Sequence, residues 1–378
     1  MFKQLVCAFL LLAIWAGCRE KETTRPDVKT DNPLQSDLDR TVDNRLRPLM
    51  KTAGSVGAVV GIYQDGKTTF YGYGETARGS GQLPGRNHIF EIGSITKTFT
   101  AALVATWLRE KGLSPDSPTA PFLPKDLGGG LTRDGRPLTF RQLLDYSSGL
   151  PEDQDIGDLT FGPGFDKNQP YRHYDSTRIY NFIKTNGLKT APGTTYIYSN
   201  MAFGLAGLLL ERSTGKPFAQ LMTEKILKPM GLNDTGVTLS ADQQARRVKG
   251  YDEKGNEMPY WDDLGGFDGA GVLTASPDDM LKFAQAHLRP PQSDLEKTLL
   301  LTRRESFRSG STVTGLGWQL TDPAYEGVLK TGGTGGFSSI LCLSEKKNLA
   351  VVVLFNHHDP QENPLTAAGY LIADLLNK

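Results

Sequence analysis

Strand-type runs stand at both ends of this chain, and helical periodicity fills the middle. Near the start, Val56-Gly57-Ala58-Val59-Val60-Gly61-Ile62-Tyr63 is a continuous apolar run, followed by Gln64-Asp65-Gly66-Lys67 and the partner stretch Thr68 to Tyr73. Asp-Gly between two such runs is a strong hairpin signal. Near the end, Phe337 to Leu343 and Leu349 to Asn356 flank the charged turn Glu345-Lys346-Lys347-Asn348, with short candidates at Gly317–Leu320 and Gly327–Thr331. Runs without polar alternation belong to strands buried on both faces. The two hairpins are therefore expected in one antiparallel sheet with helices on its faces, an α/β (α+β) fold. The helix-rich middle is expected as an inserted lobe. Residues 38–98 plus 266–378 would form the sheet domain and 99–265 the lobe, with the active site at their interface.

Several helices are marked by their ends. Leu38, Val42, Leu46 and Leu49 repeat at helical spacing. Thr139-Phe140-Arg141-Gln142 fits a capping box, and Ser276-Pro277-Asp278-Asp279 carries an N-cap, proline at the first position and acids in the first turn. Met201 to Glu211 is apolar on all sides and too short to span a bilayer, so it is expected in the core, with Asn200 as a candidate cap.

Residues 1–18 read as an export segment. Lys3 precedes an apolar stretch from Leu5 to Trp15, which closes on Trp15-Ala16-Gly17-Cys18. Small residues before a cysteine resemble a bacterial lipoprotein box, with Cys18 as the lipidated residue; Trp15 departs from the usual leucine, and an ordinary cleaved signal peptide is the alternative. Export to the periplasm or cell envelope, with a lipid anchor holding the chain to a membrane, is the expectation. Residues 19–37 are polar and read as a tether.

The basic and acidic residues number 42 each, so the charge balance gives no argument for nucleic acid as a partner. Cys342 sits in an apolar run and reads as a buried thiol. None of the five histidines (His88, His173, His287, His357, His358) forms a metal-ligating pair, and no Gly-x-x-x-x-Gly-Lys-Ser/Thr loop offers a nucleotide site, so neither metal nor cofactor is expected. No serine lies in Gly-x-Ser-x-Gly, which removes the nucleophile elbow.

What remains is Ser94-Ile95-Thr96-Lys97 at the start of a helical pattern. Positions i and i+3 share a helix face, and a nearby lysine can take a serine's proton. Alone the pattern is common, but Tyr198-Ser199-Asn200 and Lys330-Thr331-Gly332 follow it. With all three in this order the chain resembles the penicillin-recognising serine hydrolases, above all the class C β-lactamases and related D-alanyl-D-alanine peptidases. Glu91-Ile92-Gly93, Gly149-Leu150-Pro151, Ala191-Pro192-Gly193, Gly317-Trp318 and Gly335-Gly336-Phe337 add to the likeness, which runs from about Val56 to Asn356. Class A enzymes carry Ser-Asp-Asn and a catalytic glutamate instead.

The resemblance implies a Ser94 acyl-enzyme formed from a β-lactam or a D-Ala-D-Ala peptide of peptidoglycan. Lys97 and Tyr198 would share general-base duty, with the Tyr198 pKa lowered by two lysines. Asn200 would hold Lys97 and the substrate's side-chain amide. Lys330 and Thr331 would meet the substrate carboxylate, Gly332 would let the strand edge approach, and the N–H groups of Ser94 and Gly333 would form the oxyanion hole. Two positions depart from class C. Asp153, with Gln154 next to it, stands where an acyl-side glutamine is usual, and His358 stands where an asparagine helps bind the carboxylate. A β-lactamase, a D,D-carboxypeptidase or endopeptidase, an esterase using the same motifs, and a penicillin sensor without turnover all remain open.

Overall fold

β1 (Gly57–Gln64) and β2 (Lys67–Gly74) pair in antiparallel register from Gly57↔Gly74 to Gln64↔Lys67. The two loop residues both have positive φ, 49° at Asp65 and 85° at Gly66, the geometry that matches strand twist in a two-residue hairpin. The computed structural model describes residues 27–377 apart from 53, 128–130, 153–164, 322, 325–326 and 362. Cys18, Asp153 and Gln154 lie outside the described residues.

The C-terminal strands complete the sheet. β3 (Phe307–Ser309), β4 (Thr312–Thr314), β5 (Gln319–Leu320), β6 (Gly327–Gly333), β7 (Ser338–Ser344) and β8 (Leu349–Phe355) follow one another as antiparallel neighbours, and β8 pairs with β1 from Ala58↔Phe355 to Gln64↔Leu349. The order is β3-β4-β5-β6-β7-β8-β1-β2. The two expected hairpins thus share one sheet, which the short strands β3 to β5 extend.

Both sheet faces are covered, which explains the unbroken apolar runs. On one face α1 (Asp37–Met50) and α5 (Asn363–Leu376) pack Val42, Leu46, Leu371 and Leu375 against Ala58, Val60, Val351 and Val353. On the other face Val59, Val352 and Leu354 join a core that runs on through Leu281 and Phe283 of α4 (Pro277–Leu288) to α2 (Thr96–Glu110) and α3 (Asn200–Thr214). The helical part therefore shares one continuous apolar core with the sheet.

Local signals act as the residues suggest, with one shift. The Thr139–Gln142 capping box and the Ser276 cap with Pro277 are present. At α3 the cap is Ser199, whose Oγ accepts from the Ala202 N–H at 3.3 Å, and Asn200 is the first helical residue. That shift corrects the expected cap and frees the Asn200 amide for other partners. Cys342 is buried, which pushes its thiol up to about 12.

The polar segment before α1 is tied to the sheet at Thr30, Asp31 and Asn32. Thr30 Oγ1 donates to Gly72 O at 2.7 Å, the Gly72 N–H donates to Asp31 at 2.8 Å, and Asn32 Nδ2 donates to the Tyr73 hydroxyl at 2.8 Å. Ser36 and Asp39 form the capping box of α1, and the Ser36 N–H holds the Asp39 carboxyl down at about 2. Among the described residues no helix is long and apolar enough to cross a membrane.

Candidate active site

The two-residue strand Phe90–Glu91 leads into a 3₁₀ turn, Gly93–Ile95, and then into α2. Ser94 sits in that turn and Lys97 one turn later, buried at the centre of the core. Two glycines bring the end of β6 against this turn. Gly93 has φ 47°, and a Cβ there would lie 2.7 Å from Gly333 N. A Cβ on Gly332 would lie 2.1 Å from Ile92 O and 2.9 Å from Ser94 N. Ser339 Oγ fixes the same seam by donating to Ile92 O at 2.9 Å. The N–H groups of Ser94 and Gly333 thus belong to two backbone segments in contact, with no side chain between them.

Two of the predicted side chains converge on Ser94, and a third, Asn200, joins them through Lys97. The Tyr198 hydroxyl donates to Ser94 Oγ at 2.6 Å, and Lys97 Nζ donates to the same oxygen at 2.9 Å. Lys97 Nζ also donates to Asn200 Oδ1 at 2.5 Å and to Ala270 O at 2.7 Å. An ammonium carries three N–H groups, so this trio of acceptors fixes its direction. The resulting ladder, tyrosine to serine to lysine to asparagine, joins α2 to the N-terminus of α3.

Lys330 completes the electrostatics. Its Nζ lies 5.0 Å from the Tyr198 ring centroid, the same distance as Lys97 Nζ, and 5.9 Å from that of Tyr146. It is buried rather than a solvated edge lysine, and burial pushes its ammonium down to about 7. Its Nζ donates to Thr331 O at 3.1 Å. Tyr146 backs this arrangement: its ring stacks on Tyr198 at 5.6 Å, its hydroxyl donates to Gly317 O at 2.8 Å, and its φ of 67° is unusual for a residue with a side chain. Burial holds the Tyr146 phenol neutral, well above its usual range.

The remaining candidates line the rim. His358 stands by Gly333, whose built Cβ would be 3.5 Å from its Nδ1; that nitrogen is 3.4 Å from Ser338 Oγ. Asn200 Nδ2 donates at 3.1 Å to the hydroxyl of Tyr171. No sequence signal pointed to Tyr171, which lies in a polar, Gly-rich stretch without periodicity. Nor did any point to Ala270, which contributes a backbone oxygen. Glu91 was singled out with Ile92 and Gly93, but its buried pairing with Arg247, at 2.9 Å, was not; Glu91 also accepts from Trp261 N at 2.8 Å. Burial raises the Glu91 carboxyl, against the pull of Arg247. Among the described residues no group of His, Cys, Asp and Glu is arranged to hold a metal ion.

Comparison with known proteins matches this arrangement to a family. The family model described as Beta-lactamase matches residues 42–375. A beta-lactamase of Pseudomonas fluorescens is 26% identical, covering 89% of this chain and 99% of the relative. The D-alanyl-D-alanine-carboxypeptidase/endopeptidase AmpH of Escherichia coli K12 is 28% identical, covering 94% and 90%. Among solved structures, a beta-lactamase/D-alanine carboxypeptidase from Pseudomonas syringae superimposes with a TM-score of 0.75 at 26% identity, over 89% of this chain and 99% of that one. A class C beta-lactamase with a TM-score of 0.76 at 23% identity, over 89% and 96%, has the same fold. With a family match across most of its length, this chain belongs to the beta-lactamase family.

Proposed function

We propose that this chain is an exported serine hydrolase that forms an acyl-enzyme on Ser94 with a β-lactam or a D-Ala-D-Ala-type amide. The observation that carries the reading is the double approach to Ser94 Oγ, by the Tyr198 hydroxyl at 2.6 Å and Lys97 Nζ at 2.9 Å. A nucleophile in hydrogen-bond reach of a base, itself oriented by further groups, is the arrangement that acyl transfer needs. Lys97 Nζ and Lys330 Nζ each lie 5.0 Å from the Tyr198 ring centroid, which brings both lysines to the group that handles the proton.

In the forward step Ser94 Oγ attacks the carbonyl carbon and gives its proton to the Tyr198–Lys97 pair. The developing oxyanion faces the N–H groups of Ser94 and Gly333. Collapse breaks the C–N bond, and the departing nitrogen takes a proton from Tyr198. A water molecule then gives its proton to Tyr198 and attacks the ester, releasing the acid and restoring the serine. Of the open alternatives, peptide cleavage has separate support in the likeness to AmpH across 94% of the chain. Turnover of a chromogenic cephalosporin, measured beside release of D-Ala from a D-Ala-D-Ala peptide, separates the two. Absence of both activities removes the proposal.

Lys330 and Thr331 are proposed to receive the substrate carboxylate, with His358 at the far rim. Below about pH 7 Lys330 is cationic, and above it neutral. A carboxylate attracts only the cation, so binding strengthens as pH falls through 7 and weakens as pH rises. KM for a carboxylate-bearing lactam is expected to rise by up to roughly tenfold per pH unit above neutrality. A neutral ester would lack that slope, and Lys330→Arg, permanently charged, would flatten it. A pH-independent KM for the lactam in the unmodified protein would refute this role.

Export through residues 1–18 and anchoring through Cys18 remain part of the proposal, supported by the apolar stretch and the Ala16-Gly17-Cys18 junction. Cys18→Ser is expected to move the protein from the detergent phase to the aqueous phase in a partition assay. Aqueous partition before the change would count against the anchor.

A further inference from the structure

We infer that Tyr171 sets the acyl-side specificity of this site by standing where a substrate's acylamino group would reach Asn200. The inference rests on the acyl-enzyme reading above. Asn200 points its oxygen at Lys97 and one of its two N–H groups at the Tyr171 hydroxyl, 3.1 Å away. A substrate amide that accepts from Asn200 on this side has to compete with that hydroxyl. An acyl donor without such a group does not.

Tyr171 is held in place by contacts on several sides. Its ring centroid is 5.6 Å from that of Trp261, edge to face, and 5.3 Å from that of Phe267. Trp261 Nε1 donates to Asn168 O at 2.9 Å, three residues before Tyr171, and the Trp261 N–H donates at 2.8 Å to Glu91, three residues before Ser94. Glu91 is buried and paired with Arg247, both side chains being almost inaccessible (3% and 2% exposed). The chain of contacts from Glu91 through Trp261, Tyr171 and Asn200 to Lys97 closes a ring beside the nucleophile. A side chain placed this firmly resists displacement, because moving it breaks the aromatic packing as well as one hydrogen bond.

Benzylpenicillin and a D-Ala-D-Ala donor both carry an acylamino substituent next to the reacting carbonyl, and acylation by either is slowed where that group has to accept from Asn200 on the Tyr171 side. The test uses two penicillins with one nucleus: benzylpenicillin, which carries an acylamino group, and 6-aminopenicillanic acid, which has a free amine there. The rate of Ser94 acylation is followed by intact mass for the full chain and for Tyr171→Phe. Loss of the hydroxyl is expected to raise the benzylpenicillin rate by roughly tenfold and leave that of 6-aminopenicillanic acid within about twofold. Trp261→Phe, which removes the Nε1 bond to Asn168, should shift the same ratio in the same direction. It serves as the second variant if Tyr171→Phe unfolds early in a melt. An equal change for both penicillins, no change, or a selective loss with benzylpenicillin overturns the inference. If the unmodified protein is acylated by neither penicillin, the acyl-enzyme reading itself has failed; acylation that Tyr171→Phe changes unselectively refutes only the role of Tyr171.

Discussion

Ser94→Ala is expected to leave a folded protein that forms no covalent adduct and loses roughly 10⁴-fold or more of its turnover. The size of the loss follows from what converges on one oxygen. Tyr198 and Lys97 both bond Ser94 Oγ, and Asn200 and Ala270 reach that oxygen through Lys97. Removing the oxygen leaves the base and its supports with nothing to act on. Groups that act as a unit lose their effect together, so adding Lys97→Ala to Ser94→Ala should cost little more. The fold should tolerate the change, because Ser94 lies on a turn with a glycine on one side and contributes no cap to α2. A rate assay and a thermal melt on the same preparation check both halves. Retained turnover would show that another residue is the nucleophile.

Gly332→Ala is the second large effect, and it acts through backbone alone. A Cβ at this position would meet Ile92 O at 2.1 Å, Ser339 Oγ at 2.6 Å and Ser94 N at 2.9 Å. The serine hydroxyl can rotate away, but the Ile92 carbonyl and the Ser94 amide cannot. Gly332 is also paired with Ser339 in the β6–β7 ladder, so relief requires the end of β6 to back away from the nucleophile turn. That moves the Gly333 N–H relative to the Ser94 N–H. A misplacement on the order of 1 Å costs about 10²-fold in rate, and overpacking of this kind costs about 1–3 kcal/mol in stability. Gly369→Ala is the matched control. Gly369 lies inside α5 with no heavy atom within 4 Å of its built Cβ, and that substitution should leave the rate unchanged and add about 0.5–1 kcal/mol. Equal effects from the two substitutions would contradict the close seam between β6 and the nucleophile turn.

The sheet was legible where residues carry their own pairing instructions. Asp65-Gly66 sets the first hairpin, and the runs at 337–343 and 349–356 are apolar on both faces because both faces are covered. Strand β5 falls within the expected stretch Gly317–Leu320, whereas β3 and β4 were unmarked: with three residues each, they are held by neighbours rather than by any alternation of their own. The cap of α3 was misplaced by one residue, since Ser199 and Asn200 are both good caps and only the tertiary pull of Lys97 on Asn200 decides between them.

The site was legible to the same degree as its motifs. Ser94 and Lys97 are one helical turn apart, and Tyr198 and Asn200 flank a cap, so local spacing already places each pair. The burial of Lys330 is not local: it arises because the site closes over the strand, and it is what lowers the ammonium toward neutrality. Tyr171 and Ala270 could not be read from the chain. One lies in a stretch with no period, and the other acts through a carbonyl that every residue possesses.

Intact-mass measurement of the protein with benzylpenicillin, followed by peptide mapping, is the direct test of the Ser94 acyl-enzyme. The expected result is one equivalent of adduct with the mass of the intact lactam, on the peptide that contains Ser94, and none on Ser94→Ala. An adduct on another residue, or turnover of the lactam that survives Ser94→Ala, would contradict it.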